Sequence, residues 1–345
     1  MRSAHEADAH NARLKELTLL NVAEFLNDLR GRGIELRLDG EDRLVCNAPK
    51  AVMTPELCAC IRDQKEDILA FLKPAVRDNW SALVPINARG SRPPFFCVHG
   101  VGGNVLNYSV FPRYLGPDQP VYGLQSAGLD GLTPPLDDVV AMAAAYNRHL
   151  RSVQPHGPYH LGGGSMGGMV ALEMARQLKA EGETIGLLVL FDTIGPNIIR
   201  RGQVPAAKRE GWHGLATEML GRNPFAVVAS RVQAKWTRFR RFRTCRACLR
   251  RGEPIPVEHR FWYIEETNYK AMYAYAYQRY DGEIVLIRGH VVEDGTYLSD
   301  PMRGWTGLAE SVRIHAVDGD HETLIETPAL GEVLRDCLNQ ASPGA

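Results

Sequence analysis

Apolar residues between positions 18 and 73 predict a small unit made of a helix, a β-hairpin and a second helix. One apolar set recurs at intervals of three and four residues, as on one face of a helix: Val22, Phe25, Leu26 and Leu29. Residues 34–38 then alternate apolar and polar, and an acidic turn leads into residues 43–47, which predicts a hairpin. Thr54 and Pro55 are typical of an N-cap and a first helical turn. The single helix that they open has its own apolar set: Leu57, Ile61, Ile68, Phe71 and Leu72.

From Pro93 onward, apolar runs of strand length alternate with helical patterns. Residues 74–92 are predicted to be a linker that already contains a first strand at 82–86. Six further strands are predicted at 94–98, 121–125, 159–163, 185–192, 283–289 and 312–317. Helices are predicted over 138–152 and from Met166. This alternation is typical of an α/β fold with a mostly parallel sheet. The interval from about 195 to 280 is too long for a simple crossover and predicts a helical insertion.

Composition narrows the class of protein. The 345 residues are 45% hydrophobic, with 40 basic and 40 acidic residues, so we expect a globular chain and no nucleic acid as the main partner. The sequence has neither an apolar run of transmembrane length nor a secretory signal at its start, and we therefore expect a cytoplasmic protein without a membrane partner. The seven scattered cysteines predict reduced thiols and no metal site.

The segment from Gly163 to Gly167 has the pattern G-x-S-x-G between a strand and a helix. In a nucleophile elbow this pattern places a serine on a tight turn, and small neighbours let strand and helix approach closely. The alternatives are a glycine-rich packing turn or a phosphate-binding loop, but no lysine follows as in a P-loop. The pattern therefore favours Ser165 as a nucleophile.

A nucleophilic serine needs a base and an acid, which follow it along the chain in this architecture. His321 lies in a loop just after the predicted strand 312–317, at the expected edge of the sheet. His315 is predicted to lie within that strand, and two other histidines fall in the insertion, at positions 213 and 259. Two aspartates compete for the acid: Asp192, at the end of a buried strand, and Asp294, after the next strand. The cleaner placement favours Asp192.

The loop that follows strand 94–98 reads VHGVGGN. In this architecture such a loop supplies one backbone N–H to the oxyanion hole, and the residue after the serine supplies another. The predicted donors are therefore Val101 and Met166. His99 is expected to shape the loop rather than act as the base, because it lies far ahead of the serine.

Four segments together resemble the thioesterase domains that release products from nonribosomal peptide and polyketide synthetases: PFFCVHGVGG, VYGLQSAGLDG, PYHLGGGSMGGMVALEMARQLKAEGETIGLLVLFDT and VDGDHETLIETP. The resemblance spans residues 93–340. It implies the α/β-hydrolase fold, with a helical lid at about 195–280 inserted after the sixth strand. It also implies a catalytic set of Ser165, Asp192 and His321, because the acid of releasing thioesterases follows that sixth strand. In stand-alone editing thioesterases the acid follows the next strand, nearer Asp294. Gly164 departs from the aromatic residue or histidine found in many relatives.

Residues 18–73 resemble the N-terminal docking domain of the tubulysin-synthetase type, through the stretch FLNDLRGRGIELRLDGEDRLVCNAPKAVMTPELCACIRDQKEDILAFL. The resemblance implies a small α+β fold whose exposed strand edge binds the C-terminus of an upstream synthetase subunit. An unpaired hairpin edge can accept a peptide as an additional strand. The alternative is a subdomain that only stabilises the chain.

The two resemblances imply an enzyme that takes an acyl or peptidyl chain from a carrier protein onto Ser165. Release would follow by hydrolysis, cyclisation or transfer to an amine in natural-product biosynthesis. The phosphopantetheine arm belongs to the carrier protein, and the enzyme itself is expected to need no cofactor. The alternatives are a proofreading thioesterase that clears misloaded carriers, a generic serine esterase, and a docking module whose hydrolase fold is only a scaffold.

Residues 231–251 hold nine basic residues and no acidic one, with Trp236, Phe239 and Phe242 at helical spacing. The favoured interpretation is a solvated lid helix whose aromatic face is packed. The segment could also meet an acidic carrier protein, while nucleic acid or anionic lipid is disfavoured by the zero net charge. Cys245 and Cys248 are not expected to bind a metal, because no second cysteine pair has matching spacing.

Overall fold

The computed structural model forms two compact units, residues 1–80 and residues 81–345. It describes residues 29, 34–39, 43–48, 53, 55–72, 81–195, 224–289, 302–321 and 323–342. Several predictions fall on other residues: the first helix apart from Leu29, the Thr54 cap, and the candidates His213 and Asp294. These lie outside the described residues and stay predictions, as does His290, a further histidine downstream of the serine.

The small unit contains the predicted hairpin. Strands β1 (Glu35–Asp39) and β2 (Arg43–Asn47) pair antiparallel, with Arg37 opposite Val45. The single helix predicted after Pro55 is wrong in one respect, because the structure has two helices, α1 (Pro55–Asp63) and α2 (Lys65–Leu72), separated by a turn at Gln64. The core of this unit holds one buried apolar set: Leu29, Ile34, Leu36, Ile61 and Ile68.

The large unit is built on a seven-stranded sheet whose strands all coincide with predicted ones. In chain order they are β3 (Leu83–Asn87), β4 (Phe95–Val98), β5 (Val121–Leu124), β6 (Tyr159–Gly164), β7 (Ile185–Phe191), β8 (Tyr280–Gly289) and β9 (Ala309–Val317). Their order in the sheet is β3-β5-β4-β6-β7-β8-β9. Only β3 is antiparallel to its neighbour, and the other pairs are parallel.

Helices complete the α/β arrangement. They are α3 (Phe111–Leu115), α4 (Val139–Arg151), α5 (Met166–Ala180), α6 (Pro224–Arg251), α7 (Val257–Ala274) and α8 (Pro328–Ala341). Asp138 caps α4 by accepting a hydrogen bond from the Ala141 N–H at 2.8 Å. Every residue of β4 and β6 is buried, as their continuous apolar or glycine sequence predicts.

The inserted helices α6 and α7 follow β7, as predicted. The resemblance places the insertion after a sixth strand, whereas β7 is the fifth strand of the large sheet in chain order, because only four strands of that sheet precede it. No helix in the described part of the chain is long and apolar enough to cross a membrane.

Candidate active site

Ser165 stands on a strained turn between β6 and α5. Its backbone has φ 55° and ψ −121°, in the left-handed half of backbone space, and its N–H donates to the Phe191 carbonyl at 2.9 Å. Glycine is required on both sides of it. A Cβ on Gly163 would lie 2.4 Å from the Gly167 carbonyl carbon, and one on Gly167 would lie 2.2 Å from the Val98 oxygen. The glycines therefore let strand, helix and the β4 loop meet at the serine.

The structure brings Ser165, His321 and Asp192 together. The Nε2 atom of His321 lies 3.1 Å from the Ser165 Oγ, and its Nδ1 lies 2.8 Å from Asp192 Oδ2. Because the ionised carboxylate can only accept, the hydrogen-bond network assigns the proton to Nδ1 and leaves Nε2 free to accept from the serine. The two predicted residues that follow the serine in the chain thus reach it from the ends of β7 and β9.

Asp192 is held from several sides. It has φ 44°, is 5% exposed, and its Oδ1 accepts from the Gly289 N–H at 3.3 Å. The same oxygen lies 3.0 Å from Arg303 Nη2 in an ion pair that is buried on both sides. Burial alone would raise the pKa of Asp192, but the hydrogen bond from His321 and the charge of Arg303 outweigh it and lower that pKa. The carboxylate is therefore ionised where it meets the imidazole.

Sequence reasoning missed Arg303 and the segment around it. The Arg303 carbonyl accepts from the Gly195 N–H at 2.7 Å, and the fully buried Trp305 donates from Nε1 to the Thr193 carbonyl at 2.9 Å. These contacts fix the chain that follows Asp192. No sequence signal marked them, since Arg303 is more than one hundred positions away and belongs to no motif.

The two predicted oxyanion donors come from two different elements. Met166 is the first residue of α5, where the backbone N–H groups have no partner within the helix. Val101 lies in the turn after β4. A Cβ on Gly100 would be 3.7 Å from the Gly164 oxygen, so this turn runs beside the elbow. Both positions stay predictions as donors.

Tyr108 is a second residue that sequence reasoning missed. Its buried hydroxyl donates to the Val98 carbonyl at 2.7 Å and accepts from the Gly164 N–H at 2.9 Å. It thereby ties the end of β4 to the residue before the serine. A Cβ on Gly164 would lie 2.9 Å from Ile325 Cδ1, the mobile end of that side chain.

His99 is fully buried and bonded at both ring nitrogens, to the Gly100 carbonyl at 2.6 Å and to the Tyr146 hydroxyl at 2.7 Å. Burial lowers its pKa to about 4, so the ring is neutral at physiological pH. These contacts fit the predicted role in shaping the loop. His315 lies within β9 as predicted.

Helix α7 forms a further wall of this region. Asn268 is fully buried and donates from Nδ2 to the Val101 carbonyl at 2.9 Å. Ile264, one turn earlier, lies against Gly103, where a Cβ would be 2.7 Å from its Cγ2. The inserted helices therefore contact the candidate oxyanion loop directly.

No cluster of metal-binding side chains occurs among the described residues. Cys245 and Cys248 are free thiols buried against Ile255 and Tyr263, and they fill the small core between α6 and α7.

The family model described as the thioesterase domain matches residues 93–340. The chain belongs to the thioesterase family. A second model, the TubC N-terminal docking domain, matches residues 22–73 and confirms the resemblance of the small unit.

Relatives of this thioesterase are parts of large synthetases. A dimodular nonribosomal peptide synthase of Bacillus subtilis is 46% identical over 113 residues, which are 32% of this chain and 5% of the relative. The probable non-canonical nonribosomal peptide synthetase CymA of Salinispora arenicola is 28% identical over 266 residues, 76% of this chain and 3% of the relative. The chain thus spans only a few per cent of the length of these relatives.

Solved structures share the fold of this thioesterase. A four-domain nonribosomal peptide synthetase bound to AMP and glycine aligns with a TM-score of 0.58 and 20% identity, covering 81% of this chain and 22% of that one. The NocB thioesterase domain, in covalent complex with a nocardicin G analogue, aligns with a TM-score of 0.51 and 24% identity, covering 76% and 99%. At these identities the likeness establishes the fold alone, and it confirms the α/β-hydrolase prediction.

Proposed function

We propose that this thioesterase uses Ser165 to take an acyl or peptidyl chain from the phosphopantetheine thioester of a carrier protein, and then releases the chain. The observation that carries the proposal is the continuous hydrogen-bonded line from the Ser165 Oγ through His321 to Asp192. A hydroxyl within reach of a neutral imidazole, itself oriented by an ionised carboxylate, is the arrangement that activates a serine.

In the first step the Ser165 Oγ attacks the thioester carbonyl carbon while His321 Nε2 takes the hydroxyl proton. Asp192 stabilises the imidazolium that forms. The carbonyl oxygen, which becomes negatively charged, accepts hydrogen bonds from the N–H groups of Met166 and Val101. The C–S bond then breaks, His321 returns the proton to the leaving thiolate, and the chain remains as an ester on Ser165.

In the second step His321 Nε2 takes the proton of a nucleophile that attacks the ester carbonyl. The bond from this carbon to Ser165 Oγ then breaks, and His321 returns the proton to that oxygen. Water gives a free acid, a hydroxyl of the chain itself gives a lactone, and an amine gives an amide. No cofactor resident in the enzyme takes part in either step, because the phosphopantetheine arrives on the partner. The hydrogen bond from His321 goes to Asp192, the position of the acid in releasing thioesterases, and this supports release over proofreading.

The docking domain supports a second partner for the chain. Strands β1 and β2 form a two-stranded sheet. A sheet of this size can extend at an edge by accepting a peptide as a third strand. We infer that this edge binds the C-terminus of an upstream synthetase subunit and recruits the thioesterase to its carrier protein.

The proposal is tested by intact-protein mass spectrometry after mixing the enzyme with an octanoyl-loaded carrier protein. We expect the wild type to gain the acyl mass on Ser165 and the Ser165→Ala variant to gain none. Turnover of octanoyl-N-acetylcysteamine, measured in parallel, separates a poor carrier match from an inactive site. A Ser165→Ala variant that still hydrolyses either thioester at the wild-type rate would contradict the proposal.

A further inference from the structure

Helix α6 concentrates positive charge on its surface. Nine basic residues and no acidic one lie between Arg231 and Arg251, while the chain as a whole is neutral, so the remaining sequence has an excess of acidic residues. Five of these guanidinium groups are exposed and have no carboxylate within ion-pair distance in the described part of the chain: Arg240, Arg241, Arg243, Arg246 and Arg250. These charges are available to a partner.

The sequence predicts that the aromatic face of α6 is packed, but two of its three rings are exposed. Trp236 is 59% exposed and Phe239 51% exposed, and their rings stack on each other at 5.8 Å. Only Phe242 packs inward, against Trp262 and Tyr263 of α7. The prediction is therefore wrong for two of the three rings, because the narrow contact between α6 and α7 covers one side of α6 only.

A groove of about 430 Å³ runs between α6 and α7. Its lining includes Phe239, Phe242, Arg243 and Arg246 of α6 and Lys270 of α7. Exposed aromatic rings interspersed with arginine are the composition enriched at the energetic centres of protein interfaces. We refer to the exposed side of α6 together with this groove as the cationic face.

We propose that the cationic face docks an acidic surface of the carrier protein that delivers the acyl chain. This inference rests on the proposed function, since it names the surface through which the substrate's carrier binds. Unpaired arginines attract a negatively charged partner and steer its approach, and the stacked rings give a contact that excludes water. Docking here would place the carrier on the helix pair whose other side, through Asn268, contacts the candidate oxyanion loop.

Two other classes of partner fit the cationic face less well. A helix that lies in a membrane surface separates its apolar face from its cations, whereas along α6 arginines and aromatic rings alternate on the same exposed side. A nucleic acid would need free ring faces for stacking, but Phe239 is covered by Trp236 and by the Arg243 guanidinium, 5.9 Å from its centroid.

The test compares a triple charge reversal, Arg240→Glu with Arg243→Glu and Arg250→Glu, with a matched reversal of three exposed arginines elsewhere, Arg89, Arg148 and Arg335. The probe is an acidic bacterial acyl carrier protein loaded with an octanoyl group. Its affinity is measured in a Ser165→Ala background, so that binding is read without turnover. Release of the octanoyl group is measured with the active serine.

We expect the reversal in α6 to weaken carrier binding by about tenfold or more at low ionic strength, with little change in the matched control. The difference between the variants should shrink at high salt because exposed charges are screened. Turnover of octanoyl-N-acetylcysteamine should stay at the wild-type rate in both triple variants, which also shows that they fold.

Several outcomes would overturn the inference: wild-type protein that does not bind the acidic carrier, equal losses in the two triple variants, or an α6 reversal that leaves carrier affinity unchanged. Tighter binding of the wild type to phosphatidylserine vesicles or to single-stranded RNA than to the carrier would also overturn it. A wild type that binds the carrier through α6 but releases no octanoyl group would instead contradict the proposed function and leave the docking surface standing.

Discussion

The site around Ser165 and the surface of helix α6 use charged residues in opposite ways. Asp192 and Arg303 are almost completely buried, and each charge has partners at hydrogen-bond distance. Along α6 the guanidinium groups of Arg240 and Arg243 stand in water. In the first region each charged group is fixed in one position relative to its partners, and the interaction between them is strong because water is excluded. In the second region charges act at a distance, and salt weakens them.

Because their charges differ in burial, the two regions give different information about function. A buried charge pair beside a histidine and a serine specifies a reaction, because the positions of all atoms matter. An exposed charge cluster specifies the sign of a partner and little else. The four predictions that follow test whether the two regions differ as much as their environments imply.

The largest effect is expected from Asp192→Asn. The neutral amide cannot stabilise the imidazolium of His321, and it no longer holds the imidazole in the right tautomer and orientation. We therefore expect kcat to fall by about 10⁴-fold on small and carrier-bound thioesters alike. Steady-state kinetics with both substrates measure this. Asp318→Asn, an exposed residue close to His321 in sequence, serves as the control. A loss of less than about tenfold would instead indicate another acid, with Asp294 the first to examine.

Arg303→Met removes one partner of a buried ion pair. The buried negative charge of Asp192 then has no cation of Arg303 beside it. We therefore expect the free energy of unfolding at neutral pH to fall by about 3–5 kcal/mol. Chemical denaturation measures this change. Arg303→Lys, which keeps the charge, should recover part of the loss.

The same variant should also shift the pH at which the protein unfolds in acid. Arg303 helps to lower the pKa of Asp192, so its removal raises that pKa. A lowered folded pKa contributes stability above the unfolded value, near 3.9 for Asp, and this stability is lost as pH falls through the folded value. We therefore expect the Met variant to unfold at a higher pH than the wild type when both are acidified, as followed by circular dichroism. If the pH of acid unfolding is unchanged while the free energy of unfolding at neutral pH is lowered, Arg303 contributes through packing and not through its charge.

The smallest effect is expected from Trp236→Ala on α6. Since this ring is largely exposed, its loss should change the free energy of unfolding by no more than about 0.5 kcal/mol. The buried Trp305 provides the matched variant, for which we expect a loss of about 3–5 kcal/mol. Thermal and urea unfolding of the two variants would compare them directly. Equal losses would show that α6 is packed more closely than its exposure indicates.

Local patterns predicted most of the large unit. Apolar runs of strand length identified its seven strands. The runs are clearest in the strands buried on both faces, β4 and most of β7, which leave no room for polar residues. The glycines around Ser165 identified the elbow, since strand, helix and loop approach too closely there for any Cβ. Loop position after a strand was enough to single out His321 and to favour Asp192, because the carboxyl ends of parallel strands meet at one edge of the sheet.

Residues that act through tertiary contacts could not be predicted. Tyr108 bridges Val98 and Gly164, and Arg303 pairs with Asp192, yet neither has a neighbour in sequence that marks its role. The exposure of Trp236 was also missed, because helical spacing shows which residues share a face but not whether a second helix covers it. In the small unit, the turn at Gln64 interrupts a pattern that reads as one continuous helix.

The hydrogen bond from Asn268 to the Val101 carbonyl has a consequence for timing. A long acyl chain that pushes α7 aside to enter would stretch this 2.9 Å bond and release the turn after β4 at the same moment. A chain that displaces α7 would therefore displace the Val101 turn at the same time, because one side-chain amide joins the two.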